Sequence, residues 1–535
     1  MGSSSSTAGQ ASAKIPNSAW KVLLILSCLA TMVMYAETML IPAIPDLIDD
    51  FQVSYSISSW ILTSYLITGA VMTPIAGKLS DIYGKKKILL IIMLVYAAGV
   101  SIAGFANSIY FMVTARAIQG IGMAMFPIAF SIVRDNFPRE KLSIGQGVIS
   151  SMFASGAVIG LSLGGAIIKY YGWQATFFTI IPIAFALILV ISRFIRAADE
   201  EKGVVEQQQT GQQGAEELAV SAEDKGFQVR DSKKNQSRRN MGSKTQGIID
   251  IRGAITLAYA VTSFLLVLTY LQTGSGYHNA SPTTQSSSLL TLIFLTTGIA
   301  SLVLFILVEK RTANPLIDFR LVLHKTVLPA NLIIMIVGFS MFTVFQTIPI
   351  LVRNPPPLGF GEDAVSTGNI QLPFALVLLV FGPTSGFIIS RLGSMKPVIV
   401  GAVITSGGFF SLFMFHSTQL SVSVNLAVLS TGLSLTNVGA MNVTILSTPR
   451  RFTGISLGTS MLMRIFGAAL GPALAGMYMQ SDQSILRLNG VAHYFPSSDS
   501  YNLIFITATA LSIVSIALAV LLRRRAIKMA IPNVL

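Results

Sequence analysis

Residues 77–87 read GKLSDIYGKKK, a short polar segment between long apolar blocks at about 57–76 and 88–106. Gly84 permits a backbone conformation that other residues avoid, and Asp81 can pair with cations or cap a helix N-terminus. The segment therefore predicts a tight turn between two helices. Its lysines favour the cytoplasmic side of a membrane, where basic residues accumulate in short loops.

The apolar blocks on both sides of this turn belong to a series that runs along the whole chain. Hydrophobic residues make up 52% of the sequence, charged residues only 11%, and the mean hydropathy is +0.67. Soluble domains carry about 25% charged residues, so this composition excludes a water-soluble surface. Blocks of about 20 apolar residues match the hydrocarbon thickness, where only helices satisfy their own backbone hydrogen bonds, and the short alternating strands of an outer-membrane barrel are absent. We predict an all-α polytopic membrane protein with fourteen spans at about 21–45, 57–76, 88–106, 109–131, 143–168, 174–192, 253–271, 288–308, 327–351, 368–390, 397–415, 421–446, 454–478 and 501–522.

The distribution of positive charge predicts the orientation. With both termini cytoplasmic, all but five of the 37 Lys and Arg lie on the cytoplasmic side. The exceptions are Lys169, Arg353 and Arg487 outside, and Arg116 and Arg464 within spans. The net charge of +14 thus reflects the positive-inside rule better than a nucleic-acid partner. We expect a multi-pass protein of the cell membrane, monomeric and without nucleic acid.

One segment breaks the apolar pattern. Residues 197–250 are polar and Gln-rich without an apolar face, which predicts a disordered connecting loop. The predicted organisation is a cytoplasmic tail at 1–19, a six-helix bundle at 20–196, the loop at 197–250, an additional transmembrane hairpin at 251–310, a second six-helix bundle at 326–522 and a cytoplasmic tail at 523–535.

Glycine spacing indicates an internal repeat. Steps of nine, four and five residues separate the glycines of two distant helices, and steps of three and seven separate two Pro-Gly-Gly sets. Glycines four or five residues apart lie on one helix side, where a neighbouring backbone can approach closely. Matched halves around a central cavity are typical of secondary transporters. The matched sets are Gly147, Gly156, Gly160, Gly165 with Gly458, Gly467, Gly471, Gly476, and Pro74, Gly77, Gly84 with Pro383, Gly386, Gly393.

Several of these segments resemble motifs of the major facilitator superfamily. The string at 77–87 resembles its signature loop, and the Gly156–Gly165 ladder resembles its antiporter motif, with Leu161 where a Pro is usual. The segment RAIQG at 116–120 is similar to its intramembrane Arg motif, and DIRG at 250–253 is similar to its fourteen-helix drug–proton antiporter branch.

This resemblance implies two six-helix bundles with a central two-helix hairpin and a role for Arg116 in proton coupling. It also implies conformational gating at Gly77, Asp81, Gly84, Lys85, Lys86, Gly156, Gly160, Gly164, Gly165, Gly467, Gly471 and Pro472.

Glu37 is the one acidic residue that the sequence places in hydrocarbon. The branch usually has an acid nine residues before the Pro that closes its first-helix motif, but that position is Ala36, so no role is transferred to Glu37. An ionisable group inside a membrane marks function by default, because its burial is costly unless it faces a cavity or a partner. Glu37 is therefore predicted to exchange a proton for a substrate. The alternative is a structural Glu paired to a neighbouring helix.

Other residues complete the predicted substrate site. Arg464 could bind an anionic group or hold helices through carbonyl hydrogen bonds. The aromatic side chains of Tyr65, Phe126, Phe342 and Phe345 are candidates to line a cavity for lipophilic molecules, although lipid contact or helix packing is the alternative for each. No spacing of residues suggests a metal site or a catalytic triad, and no phosphate-binding loop suggests ATP as the energy source.

The resulting hypothesis is a proton-coupled antiporter that exports hydrophobic or cationic small molecules, without a cofactor and not an enzyme. Its partners are a small-molecule substrate, protons and the lipid bilayer. One alternative is a transporter of a specific solute or metal chelate, which could import it. Another is a receptor or scaffold that binds through residues 197–250.

Overall fold

The fold is described by a computed structural model over residues 16–137, 142–195, 251–270, 283–312, 323–448, 453–488 and 491–528. These residues are almost entirely helical, as predicted. The predicted loop at 197–250 and most of both tails lie outside the described residues, as do the side chains of Asp81 and Pro74 and the surroundings of Gly147. The N-terminal half contains α1 (Asn17–Thr38), α2 (Ile44–Phe51), α3 (Tyr55–Ser58), α4 (Trp60–Tyr83), α5 (Lys85–Ala103), α6 (Ile109–Gly120), α7 (Met125–Asn136), α8 (Leu142–Tyr171) and α9 (Trp173–Phe194).

The rest of the chain adds a helix pair and a second half. The pair is α10 (Ile251–Tyr270) and α11 (Thr283–Arg311). The C-terminal half contains α12 (Val327–Arg353), α13 (Ala364–Leu392), α14 (Met395–Met414), α15 (Gln419–Ser447), α16 (Thr453–Ser481), β1 (Gln483–Leu488), β2 (Val491–Pro496) and α17 (Ser498–Lys528).

Membrane spans were counted over the described residues. Twelve helical segments there are long and apolar enough to cross a membrane. The two predicted spans outside this set, 143–168 and 253–271, overlap helices α8 and α10. A helical membrane fold is therefore observed, and the count of fourteen stays a prediction.

Two of the predicted spans are not continuous α-helices. The first is interrupted by a 3₁₀ turn at Ile41–Ala43, and the fourth by another at Ile121–Ala124. Pro42 lies in the first turn and Pro45 at the start of α2, where a missing backbone N–H costs nothing. The spans predicted at 21–45 and 109–131 are observed as helical segments, each containing a 3₁₀ turn that the hydrophobic pattern does not register.

The paired glycines make matching contacts in the two halves. A Cβ on Gly156 would fall on the carbonyl oxygen of Thr31, and one on Gly467 would fall on that of Met335. Helix α8 therefore lies directly on the backbone of α1, and α16 lies on that of α12. Gly84 and Gly393 also match, since both follow a long helix with a positive φ, 90° and 76°. The predicted repeat thus appears as one packing arrangement used twice.

Contacts between the halves concentrate at one end of the bundle. There, Gly165 of α8 meets the carbonyl oxygen of Ala364, and Gly476 of α16 meets that of Tyr55. Along the same seams but towards the other end, a Cβ on Gly77 or Gly386 would meet nothing within 4 Å. We call the end with Lys169 and Asp363 the closed end and the end with Gly84 and Gly393 the open end.

The helix pair and a β-hairpin flank this core. Helix α10 packs on α11 and also contacts α4 and α16, so it lies beside one seam between the halves. Strands β1 and β2 form an antiparallel hairpin at the closed end, with Ile485 opposite Tyr494. The hairpin was not predicted. The two strands lie between α16 and α17. The hydrophobic pattern predicts only the spans, so it assigns this segment to a loop.

Gly467 and Gly458 form a matched pair for testing the close helix contact, since both lie in α16. Gly467→Val should lower stability by about 1–3 kcal/mol, because the added atoms would collide with the α12 backbone. Gly458→Val adds the same atoms where nothing lies within 4 Å of a Cβ. The thermal unfolding midpoint in detergent should fall clearly for the first variant only. Equal midpoints for both would contradict the proposed packing.

Candidate functional site

Glu37 is the second-to-last residue of α1, immediately before the break at Ile41–Ala43. Its side chain is only 2% exposed. The next residue, Thr38, donates a hydrogen bond to the Met34 carbonyl oxygen at 2.8 Å, and a Cβ on Gly160 would fall on its hydroxyl. The backbone that carries Glu37 is therefore fixed where α1 and α8 touch.

Arg116 lies in α6 and is completely buried. Its Nε donates to the carbonyl oxygen of Ile61 at 3.0 Å, and one terminal nitrogen donates to Gln119 Oε1 at 2.7 Å. The guanidinium lies over the ring of Tyr65, 4.6 Å from its centroid. Its other terminal nitrogen has no partner among the described residues. Most of this charge is therefore held by neutral groups of its own half.

Arg464 lies in α16 and has a different environment. Its carbonyl oxygen touches Gly338 of α12, which fixes the backbone, while its side chain is partly exposed. Within the described part of the chain, no hydrogen bond or ion pair involves this side chain. The guanidinium is thus positioned by tight helix packing and remains accessible.

Glu37 interacts electrostatically with both arginines. No basic group of the described residues approaches its carboxylate within 4 Å, so it forms no ion pair there. Glu37 is therefore attracted to two arginines, one from each half, without direct contact with either. The alternative interpretation, a structural Glu37 paired to a neighbouring helix, has no supporting ion pair among the described residues. Glu309, one residue beyond the predicted span 288–308, lies in α11 and is also buried.

The predicted aromatic residues do not form one group. Tyr65, Phe342 and Phe345 belong to one apolar cluster that joins the two halves, and the two phenylalanine rings pack edge to face at 5.4 Å. Phe374 of α13 extends the stack, 5.8 Å from Phe345. Phe126 packs in a separate cluster of the N-terminal half. The structure therefore brings three of the four predicted residues together.

The predicted gating residues do not share one environment. At the open end, Lys85 forms an ion pair with Asp135 of α7, within its own half, while Gly77 faces open space. Gly164 meets the backbone of Met39 beside the broken helix, and Gly471 meets that of Phe339. Pro472 lies inside α16. The remaining residues of this set are Gly84, Lys86, Gly156, Gly160, Gly165 and Gly467, together with Asp81, whose side chain lies outside the described part of the structure. Gly165 lies at the seam with α13.

The closed end is held by charge pairs that sequence reasoning missed. Arg353 of α12 contacts both carboxylate oxygens of Asp46 in α2, and Lys169 of α8 lies 2.8 Å from Asp363. Both pairs join the two halves. A signal was present, because Lys169 and Arg353 were two of only three cations that broke the charge rule. Their partners could not be read from the sequence.

Comparisons with known proteins agree with this architecture. The profile of the Major Facilitator Superfamily matches residues 26–472, most of the chain. The chain belongs to the Major Facilitator Superfamily. It is 24% identical over 462 residues to "Multidrug transporter protein MdtP" of Bacillus subtilis (strain 168), covering 85% of this chain and 74% of that protein. It is also 24% identical over 465 residues to "Tetracenomycin C resistance and export protein" of Streptomyces glaucescens, covering 86% and 76%.

Solved structures show the Major Facilitator Superfamily fold as well. The human organic anion transporter MFSD10 (TETRAN) superposes with a TM-score of 0.58 at 13% identity, covering 94% of this chain and all of that one. A POT family peptide transporter gives 0.56 at 15% identity, covering 94% and 97%. At such low identity these similarities concern the fold alone. The chain is a multi-pass integral membrane transporter of this superfamily, which confirms that part of the sequence prediction.

The ion pair between Lys169 and Asp363 should keep this superfamily member closed at that end. Ala364, buried beside Asp363, gives a reporter site: Ala364→Cys in a Cys28→Ser background carries a single thiol. Lys169→Glu should increase labelling of that thiol by a membrane-impermeant reagent, because two carboxylates then repel across the seam. The double variant Lys169→Glu with Asp363→Lys restores opposite charges and should return labelling towards the starting level.

The same ion pair should be insensitive to mild acid. The Lys169 ammonium, together with the Ser366 backbone N–H, lowers the pKa of Asp363 to about 2. A lowered acid pKa stabilises the paired state above the unfolded-state pKa, and this contribution is lost only as the pH falls through about 2. The labelling rate of Ala364→Cys is divided by the rate for free cysteine at the same pH, which removes the effect of thiol ionisation. This ratio should therefore not change between about pH 5 and pH 8. A rise in labelling at the acidic end would contradict this assignment.

Proposed function

We propose that this transporter is a proton-coupled antiporter of the fourteen-helix drug–proton branch, exporting hydrophobic or cationic small molecules. The observation that carries the proposal is Glu37, a buried carboxylate at a helix break that forms no ion pair with the described residues. Buried ionisable groups in membranes commonly serve ion or proton pathways. The two relatives at 24% identity, a multidrug transporter and an export protein, support the direction of transport.

The distribution of charge supports an orientation for this cycle. The positive-inside rule assigns the open end, with Lys85 and Lys86, to the cytoplasm, together with both termini. The closed end, with Lys169 and Arg353, then faces outward, in the cell membrane. The described conformation is accordingly inward-facing, the state in which an exporter takes up its cargo.

Exchange follows from competition for one carboxylate. In the inward-facing state an ionised Glu37 attracts the positive group of a cargo molecule, while the apolar body packs near Phe342 and Phe345. After the halves rock, a proton from outside neutralises Glu37 and the cargo loses its counter-charge. The proton leaves on the return to the inward-facing state. Arg116, for which the resemblance implies a role in proton coupling, lies within electrostatic range of Glu37. The proton gradient supplies the energy, no cofactor is required, and a monomer suffices because both halves lie in one chain.

Substitution of Glu37 tests the coupling. Glu37→Gln keeps the size and hydrogen-bonding shape but cannot ionise, so export driven by a pH gradient should fall at least about tenfold in proteoliposomes. Substrate-dependent collapse of the pH gradient, measured with an internal dye, should disappear as well. Asp499→Asn is the matched control, since Asp499 is an exposed acid in the first turn of α17.

Retention of gradient-driven export at the wild-type rate by Glu37→Gln would remove Glu37 from the coupling mechanism. The direction in which protons move separates the antiporter from an importer of a specific solute. In the first case the substrate and the protons cross in opposite directions, and in the second they cross together.

A further inference from the structure

Two side chains of opposite charge, one from each half, have no hydrogen-bond or ion-pair partner among the described residues. Glu37 and Arg464 interact electrostatically, but they are more than 4 Å apart and form no hydrogen bond with any described residue. Arg116 differs, because Ile61, Gln119 and the Tyr65 ring hold its guanidinium. Separated charges in a poorly solvated interior are costly unless a further group completes them.

The repeat shows that the fold does not need these two charges. Gly156 contacts Thr31 and Tyr35 of α1, and Gly467 contacts Met335 and Phe339 of α12. Thr31 therefore corresponds to Met335, and Tyr35 corresponds to Phe339. In this register Met341 takes the place of Glu37.

The same register applies to the other charge. Because Gly467 corresponds to Gly156, the sequence position that matches Arg464 is Phe153. The sequence therefore has an apolar residue in one half at each of these positions where the other half has a charge, although the matching glycine contacts are the same. A purely structural role for Glu37 and Arg464 does not explain that difference.

The surroundings define the shape of the missing partner. Ile465 and Ala468 lie one and four residues after Arg464 in α16. Both belong to the same apolar cluster as Phe342 and Phe345. The cluster also contains Tyr65, over which Arg116 lies. A buried apolar cluster thus adjoins Arg464, and Glu37 and Arg464 lie on opposite halves of the protein.

We propose that the cargo is a zwitterionic amphiphile, whose basic group binds Glu37, whose acidic group binds Arg464 and whose apolar body packs on the Phe342–Phe345 cluster. The Glu37 contact rests on the proposed function, whereas the Arg464 contact stands on its own. A molecule with only a basic group leaves Arg464 unpaired. One with only an acidic group is repelled by ionised Glu37, so the molecule carrying both groups binds best.

Three probes on one scaffold test this selectivity: naphthylalanine, its methyl ester and its N-acetyl derivative, which are zwitterionic, cationic and anionic. Binding to the purified full-length protein is measured from naphthalene fluorescence near neutral pH. The zwitterion should bind at least about tenfold more tightly than either derivative, as expected for one additional charge-assisted contact.

Substitutions of Arg464 assign that preference to its charge. Arg464→Phe introduces the residue that stands at the matching sequence position of the other half. It should weaken binding of the zwitterion about tenfold or more and leave the ester unchanged or tighter. Arg464→Lys retains the charge and should recover part of the affinity. The unfolding midpoint in detergent establishes that each variant is folded, and if Arg464→Phe is not, Arg464→Gln replaces it.

The outcomes separate this inference from the proposed function. Equal binding of the zwitterion and the ester, an unchanged zwitterion affinity in Arg464→Phe, or no measurable binding of any probe overturns the zwitterion proposal. If Glu37→Gln keeps gradient-driven transport while Arg464→Phe still loses the zwitterion preference, proton coupling through Glu37 fails and the acid-binding site at Arg464 stands. The reverse pattern leaves the coupling intact and rejects the site.

Discussion

The direct contact between helix backbones at glycine is the constraint on which this structure depends. Helix α8 touches α1 at Gly156 and Gly160, and α16 touches α12 at Gly467 and Gly471. Inside a bilayer, association of helices relies on packing because lipid is as apolar as the side chains. The contacts therefore set both the stability of each half and the position of what lies beside them. Glu37 is one example, because it lies two residues after Tyr35, whose carbonyl oxygen contacts Gly160.

The same glycine ladders also connect packing within a half to packing between halves. Gly156 and Gly160 act inside the N-terminal half, but Gly165, further along the same helix, meets Ala364 of the other half. Gly476 does the same on α16. A long rigid helix thus links the central site to the closed end, where charge pairs hold the halves together. The Lys169–Asp363 pair stays ionised in mild acid, since the pKa of Asp363 is about 2, so a mild fall in pH does not by itself open this end.

The sequence predicts what depends on local pattern and composition. Every predicted span overlaps a helix, and the spacing of Gly156, Gly160 and Gly165 reappears as matching contacts, because helical periodicity determines which residues share a face. Partner choice between distant helices is not encoded in this way. Neither the contact of Arg353 with Asp46 nor the separation of Phe126 from Phe342 follows from spacing along one helix. The breaks at Ile41–Ala43 and Ile121–Ala124 escaped for a related reason, since one turn of 3₁₀ helix leaves the apolar pattern intact.

A repeated architecture helps to separate residues that build the fold from residues that act on cargo. Where both halves have glycine, the shared contact explains the residue. Where the sequence has Glu37 or Arg464 in one half and Met341 or Phe153 in the other, the shared glycine contact does not account for the charge. Two matched halves need identical interfaces to rock against each other, but a cargo molecule with two different ends needs unlike groups on its two sides. The observed departures from symmetry satisfy the second requirement without disturbing the first.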